Sequence, residues 1–320
     1  MNKTNISWTD ATINCLKAKK NGKVGHYCEK VCVEGSTAPE SGCQNCYASS
    51  MQSRFGLPEF PWEKRNGTVT LQVVGDNRVM PNGVELFFDD KPLRAAVRSQ
   101  KPKRIFLCSM TDLFGSWVLD EWIDRVFAFA ALAPQHKFLI LTKRGERMRD
   151  YFSNPGRLTR VSQIGWELTH RTINKEASMS FQWPPPNAHL GVSVENQQTA
   201  DERIPLLLQT PAAVRWISYE PALEKVDFSR WLWSFDDSVS SEMGAELETP
   251  RREIEQIIVG GESGSNFRPM PLGVVESTVE QCRAAGVKVF VKQASGRRPG
   301  MQGNIPDEIW KIKELPISGN

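Results

Sequence analysis

From Arg104 onward, short apolar runs alternate with stretches whose apolar residues recur every three to four positions. The runs are residues 104–108 (RIFLC), 137–141 (KFLIL), 189–192 (HLGV), 214–217 (VRWI), 256–259 (QIIV) and 288–291 (KVFV). The clearest amphipathic stretches are 119–132, 200–208 and 272–285. In the last of these, Val275, Val279 and Cys282 share one helical face, and Gly286 follows as a stop. Apolar strands separated by helices predict an α/β fold with a parallel sheet covered by helices. Six such strands, with one or two earlier, predict a full or partial (β/α) barrel, and a doubly wound open sheet is the alternative.

The pattern is weaker elsewhere. Residues 1–27 are polar, with a basic run at Lys17, Lys19, Lys20 and Lys23. That run reads as a solvated loop or as a phosphate contact. Ser7-Trp-Thr-Asp10 fits a helix start and a strand edge equally. Residues 48–55 predict a short helix stopped by Gly56, and 68–74 (TVTLQVV) a strand. Two segments, 153–187 and 229–252, interrupt the alternation and read as surface insertions in a single domain spanning 1–320.

Each apolar run empties into polar side chains. Ser109 and Asp112 follow the first, Lys143 and Arg144 the second, Glu195 and Asn196 the third. Glu220, then Gly260-Gly261-Glu262, then Lys292 follow the others. In barrels and open α/β sheets that end of the strands carries the active site. Charged Lys143, Glu195, Glu220, Glu262 and Lys292 are therefore expected on one face. A glycine pair such as Gly260-Gly261 admits a ligand close to the backbone, though no P-loop Lys-Ser/Thr follows it.

Composition narrows the chemistry. The chain has 320 residues, 40% hydrophobic and 24% charged, with net charge +3. It shows no membrane-length apolar run and no secretory h-region. Its seven cysteines therefore read as reduced thiols in the cytoplasm, available for metal. The four histidines have no metal-ligand spacing and G-x-S-x-G is absent, which disfavours zinc peptidases and serine hydrolases.

The chemistry concentrates in the cysteine-rich loop, residues 15–48, which ends Cys43-Gln-Asn-Cys46-Tyr47-Ala48. Two readings stand. Three thiolates can hold a [4Fe–4S] cluster with one iron open to S-adenosylmethionine. Alternatively Cys28, Cys32, Cys43 and Cys46, spaced C-x3-C-x10-C-x2-C, can hold structural zinc in a non-catalytic nucleic-acid-binding protein.

A set of motifs spread over the chain carries a resemblance. They are Ser7-Trp-Thr-Asp10, Gly25-His-Tyr-Cys28, Gly42-Cys-Gln-Asn-Cys-Tyr-Ala48, Ser109-Met-Thr-Asp-Leu-Phe114, Leu141-Thr-Lys-Arg144, Gly191-Val-Ser-Val-Glu-Asn-Gln197, Ile217-Ser-Tyr-Glu-Pro221, Gly260-Gly-Glu-Ser-Gly264 and Phe290-Val-Lys-Gln293. Together they resemble a phage- and prophage-associated three-cysteine-motif family of uncharacterised function. Its cysteine loop is similar to that of radical S-adenosylmethionine enzymes, including those acting on nucleobases.

The resemblance implies Cys28, Cys43 and Cys46 as cluster ligands. Residues 32–40 look like an insertion relative to the family, so Cys32 is a rival first ligand. It implies Tyr47 beside the cluster and S-adenosylmethionine, with Gly260, Gly261 and Glu262 on the methionine or ribose part. Ser109, Asp112, Glu195, Asn196 and Glu220 are expected as further polar contacts. Lys143, Arg144, Arg268 and Lys292 are expected to form an electropositive pocket for a nucleotide or nucleic-acid substrate, and the chemistry requires an electron donor. Cys15, Cys108 and Cys282 are expected to be bystanders.

Overall fold

The computed structural model describes residues 2–4, 6–31, 43–54, 61, 72–80, 83–172, 181–234 and 251–315. The fold is α/β, with seven parallel strands curled into a half-barrel and flanked by helices, the partial form of the expected barrel. The sheet runs Asn2–Lys3, Ala11–Ile13, Arg104–Leu107, Lys137–Thr142, Ala188–Val194, Val214–Tyr219, Gln256–Gly260 and Lys288–Gln293, the short Asn2–Lys3 strand being an antiparallel addition at the edge. Strand order follows chain order without reversal. A doubly wound sheet would reverse at a switch point, so that alternative falls. All six apolar runs form strands of this sheet, and Ala11–Ile13 is the earlier one.

Two compact units divide the chain: residues 1–191 with 210–213, and residues 192–209 with 214–320. In the first, Ala11–Ile13 pairs in parallel with Arg104–Leu107, which pairs in parallel with Lys137–Thr142. The Ser7–Asp10 motif is the joint before Ala11–Ile13. Trp8 packs on Phe106 at 4.8 Å between ring centroids, and the Thr9 hydroxyl donates to the Arg104 carbonyl at 2.8 Å. Asp10 accepts from the Arg104 N–H at 2.7 Å and faces its guanidinium at 3.2 Å.

The Asp120–Ala131 helix begins with Asp120 and Glu121, which suit the positive end of its dipole. It buries Trp122, Ile123, Asp124 and every residue from Val126 to Ala130, so it is enclosed on more than one face. Burial of each large side chain stabilises by about 1.5–3 kcal/mol. Around Phe127 gather Tyr151, Phe152 and Trp183. The 153–187 segment contributes a 16-residue helix, Arg157–Thr172. Its Arg157 reaches Asp124 at 3.3 Å, and Asp124 also takes the Tyr151 hydroxyl at 2.7 Å.

A second, antiparallel sheet lies in the same unit, in the order Lys23–Gly25, Leu16–Lys20, Glu85–Phe88, Asn77–Val79, Gln72–Val74. Residues 16–25 are thus a hairpin and not a solvated loop. Leu16 and Ala18 are buried while Lys19 is exposed, the period of a half-buried strand. Asn21 and Gly22 turn the chain at φ of +49° and +77°, the left-handed pair a tight hairpin needs. Of the predicted strand 68–74, residues 72–74 are strand; 68–71 lie outside the described residues.

In the second unit, Val214–Tyr219, Gln256–Gly260 and Lys288–Gln293 are parallel neighbours. Every residue of Gln256–Gly260 is buried, as a strand covered on both faces requires. The Val274–Ala284 helix buries Val275, Val279 and Cys282, the face read from the sequence. Near the C-terminus the chain returns along Lys288–Gln293, with Val291 N–H donating to the Ile312 carbonyl and Glu314 N–H to the Val289 carbonyl. That return covers a strand edge that would otherwise invite pairing. Among the described residues no helix is long and apolar enough to cross a membrane.

Candidate metal centre

Residues 43–45 form the turn expected of C-x-x-C, closed by the Cys46 N–H donating to the Cys43 carbonyl at 3.3 Å. The Tyr47–Arg54 helix starts directly afterwards. Cys46 sits at its N-terminus, and the Ser49 and Ala48 N–H groups donate to its sulfur. Helix N-termini favour thiolate, so this is where a C-x-x-C ligand gains from local structure. Burial, acting against those bonds, still holds the Cys46 thiol above its ordinary range, with the Lys143 ammonium pulling it down.

Cys28 comes from a separate segment, clamped to the same helix by Gln52. The Gln52 amide accepts the His26 N–H at 3.1 Å and donates to the His26 carbonyl at 2.6 Å. Burial pushes the Cys28 thiol well up and the Arg144 guanidinium opposes that push. Asp112, Cys43 and Cys46 add to it through their negative forms. Gln52 thus ties the Cys28 segment to the helix that follows Cys43 and Cys46. None of the six described cysteines forms a disulfide. Among the described residues, no group of three or more His, Cys, Asp or Glu side chains forms a ready ion-binding set. In kind, the donors fit a thiolate-held centre: soft sulfur ligands on two segments, with cations to offset their charge. Cys32, the rival ligand, lies outside the described residues.

Asp112 braces this region. Its carboxylate accepts the Phe114 N–H at 2.9 Å, the Thr142 hydroxyl at 2.8 Å, the Lys143 N–H at 3.1 Å and Arg144 Nη1 at 3.1 Å. Arg144 lies over the Trp117 ring at 4.8 Å and its Nη2 donates to the Glu29 carbonyl at 3.2 Å. The two strand ends are thereby tied to the residue after Cys28. Glu29 is itself buried, accepting the Tyr27 hydroxyl at 3.0 Å and the Ser116 hydroxyl at 3.3 Å. Half-exposed Tyr47 donates its hydroxyl to the Ser109 carbonyl, and the Asn14 side chain bonds the Ser109 hydroxyl.

The strand ends of the second unit form their own group. Glu195 is buried against Arg203 at 3.0 Å and accepts the Ser193 hydroxyl at 3.1 Å. Asn196 caps the Gln197–Gln209 helix, its side-chain oxygen accepting the Thr199 N–H at 2.9 Å. Glu262 takes Arg268 on both oxygens, at 2.6 and 3.1 Å, and the Arg268 N–H at 2.8 Å. Glu220 pairs with Lys292 at 2.8 Å. A Cβ on Gly260 would stand 2.5 Å from Glu220 Oε1, and one on Gly261 would stand 2.2 Å from the Ser295 nitrogen. Both glycines serve close packing within the chain.

A family model matches residues 3–304, nearly the whole chain. The chain belongs to the family described as "Protein of unknown function (DUF5131)". No curated protein and no solved structure matches it.

Family membership covers both groups of strand-end residues and the cysteine loop alike. Within them, Gln52, Glu29, Trp117, Thr142 and Arg203 escaped sequence reasoning. Glu29 had a signal, since it stands next to Cys28 in the densest motif. Gln52 had a fainter one, a polar residue one and a half turns into the helix after Cys46. Arg203 had none, because its partner is set by the packing of a helix against a strand end.

Proposed function

We propose that the protein is an iron–sulfur enzyme of the radical S-adenosylmethionine type, in a phage-associated family, acting on a nucleotide or nucleic acid. Cys28, Cys43 and Cys46 would hold a [4Fe–4S] cluster. The observation that carries the reading is the C-x-x-C turn at a helix N-terminus, with the Cys28 segment clamped to that same helix through Gln52. When bound, such a cluster supplies the electron for reductive cleavage of S-adenosylmethionine. The chain's own part is to hold and orient. Gln52 fixes the approach of the Cys28 segment, and Arg144 and Lys143 balance the thiolate charge. Of the four cations expected to receive an anionic substrate, Arg144 is paired with Asp112, Arg268 with Glu262 and Lys292 with Glu220.

Anaerobic purification tests this directly. The expected protein is brown, holds about four irons per chain, and forms 5′-deoxyadenosine from S-adenosylmethionine after dithionite reduction. Colourless protein with stoichiometric zinc would replace it with a zinc-stabilised, non-catalytic reading. A loaded cluster that yields no 5′-deoxyadenosine, with nucleotide or DNA present, would leave the cluster and remove the radical chemistry.

A further inference from the structure

Two cysteines outside the candidate centre meet in the core of the first unit. Cys15 follows the Ala11–Ile13 strand by two residues and Cys108 follows Arg104–Leu107 directly. The strands are parallel neighbours with Ile13 opposite Leu107. Their sulfurs stand 3.9 Å apart, and the residues are 0% and 3% exposed. The backbone around both is fixed. Cys108 N–H donates to the Ile13 carbonyl at 2.7 Å, and the Cys15 carbonyl accepts the Asp89 N–H at 2.8 Å.

Cys108 also holds a left-handed backbone, φ +56°, which a side chain with a Cβ rarely adopts. Such strain persists where the surroundings over-determine it, and it clusters at functional positions. A buried cysteine packing as a small hydrophobe needs neither a second thiol at its sulfur nor this backbone.

We propose that Cys15 and Cys108 are a redox-active dithiol that closes to a disulfide when the protein meets a peroxide. In the first step one thiolate attacks hydrogen peroxide. An S–O bond forms, the O–O bond breaks, and the sulfur is oxidised to sulfenic acid as hydroxide leaves and takes up the proton the thiol gave up, forming water. In the second, the neighbouring thiol attacks that sulfur, an S–S bond forms, the S–O bond breaks and a second water leaves. Two thiols and one peroxide thus give one disulfide and two waters. The sulfurs must close from 3.9 Å to about 2.05 Å.

The pair has a structural route to its surroundings. Ser109, the next residue, accepts the Tyr47 hydroxyl on its carbonyl and meets Asn14, the residue before Cys15. The proposal does not depend on which metal, if any, the other cysteines hold.

The test treats the full-length protein with graded hydrogen peroxide, quenches in acid, alkylates under denaturing conditions and maps the peptides by mass spectrometry. The expected result is loss of the Cys15 and Cys108 alkylation sites together, with a Cys15–Cys108 linked peptide that dithiothreitol reverses. Cys282, buried without a thiol neighbour in its helix, should stay alkylatable at the same doses. In Cys15→Ala the link disappears and Cys108 goes no further than its own oxyacids. Should that variant fail to fold, the wild-type linkage map decides alone. Recovery of both as alkylated thiols at doses that oxidise Cys28, Cys43 and Cys46 overturns the proposal. So does linkage to other cysteines, or oxidation to sulfinic acid without a link.

Discussion

Arg144 meets Asp112 at 3.1 Å where two neighbouring strands end, and both side chains are 9% exposed. A pair this dry is costly to break from one side, since the remaining charge stays buried. Asp112→Asn keeps the shape and removes the charge. It should cost about 3–5 kcal/mol, measured as a shift in the urea midpoint. Arg144→Lys keeps the charge but loses the fork that reaches Asp112 and the Glu29 carbonyl together. It should fall between Asp112→Asn and the parent. A stability within about 0.5 kcal/mol of the parent for Asp112→Asn would show that the pair does not hold the strand ends.

The two glycines at the end of Gln256–Gly260 predict a graded effect. A Cβ on Gly260 meets Glu220 Oε1 at 2.5 Å, the tip of a side chain, which can give way. One on Gly261 meets the Ser295 nitrogen at 2.2 Å and the Ala294 carbonyl carbon at 2.7 Å, both backbone. Gly261→Ala should therefore cost about 1–3 kcal/mol as overpacking, and Gly260→Ala clearly less. Equal melting temperatures for the two variants would contradict this geometry.

Acid sensitivity should trace in part to His189. Burial, with Lys137 adding to it, lowers its pKa from 6.5 to about 4. Above pH 6.5 neither the folded nor the unfolded chain carries this proton. Between pH 6.5 and about 4 the unfolded chain binds it and the folded chain does not, so stability falls as pH falls. The full loss is about 3 kcal/mol at about 1.4 kcal/mol per pH unit. Urea midpoints of parent and His189→Leu at pH 7 and pH 4.5 check it, because the difference between the two proteins isolates this group. A parent-minus-variant stability that does not fall toward acid pH would sink the assignment.

What the sequence made legible was position along the chain. The six apolar runs became strands in order, and the residues after them stand at strand ends, because hydrophobic period and chain order are local properties. Partners across space were not legible. Thr142 and Arg144 hold Asp112, Arg203 holds Glu195 and Arg268 holds Glu262, pairings that position along the chain does not announce. Buried carboxylates need such partners, and tertiary packing selects them. The hairpin at residues 16–25 has a signal of its own in the sequence. Its lysines suggested a loop, but Asn21-Gly22 between alternating residues is a turn signal of known geometry.

The ligand set gives the last prediction. Cys28→Ala, Cys43→Ala and Cys46→Ala should each abolish iron binding, because a cluster cannot keep its place on two thiolates. Cys282→Ala, on the buried apolar face of the Val274–Ala284 helix, should leave iron content unchanged. Gln52→Ala removes both bonds to the His26 backbone and no ligand. It should lower metal affinity about 10–100-fold, the usual cost of a supporting residue, while leaving the spectrum of the loaded centre intact. Cys32→Ala discriminates among coordination schemes. If it strips the metal while Cys28→Ala does not, Cys32 is the first ligand. If both strip it, four-thiolate coordination is the better description, and an open iron for S-adenosylmethionine is lost. Iron and zinc are both to be measured on each variant, since a change of metal would otherwise pass for loss. A Gln52→Ala protein with full affinity would mean that the Cys28 segment is positioned by Arg144 and the Glu29 carbonyl alone.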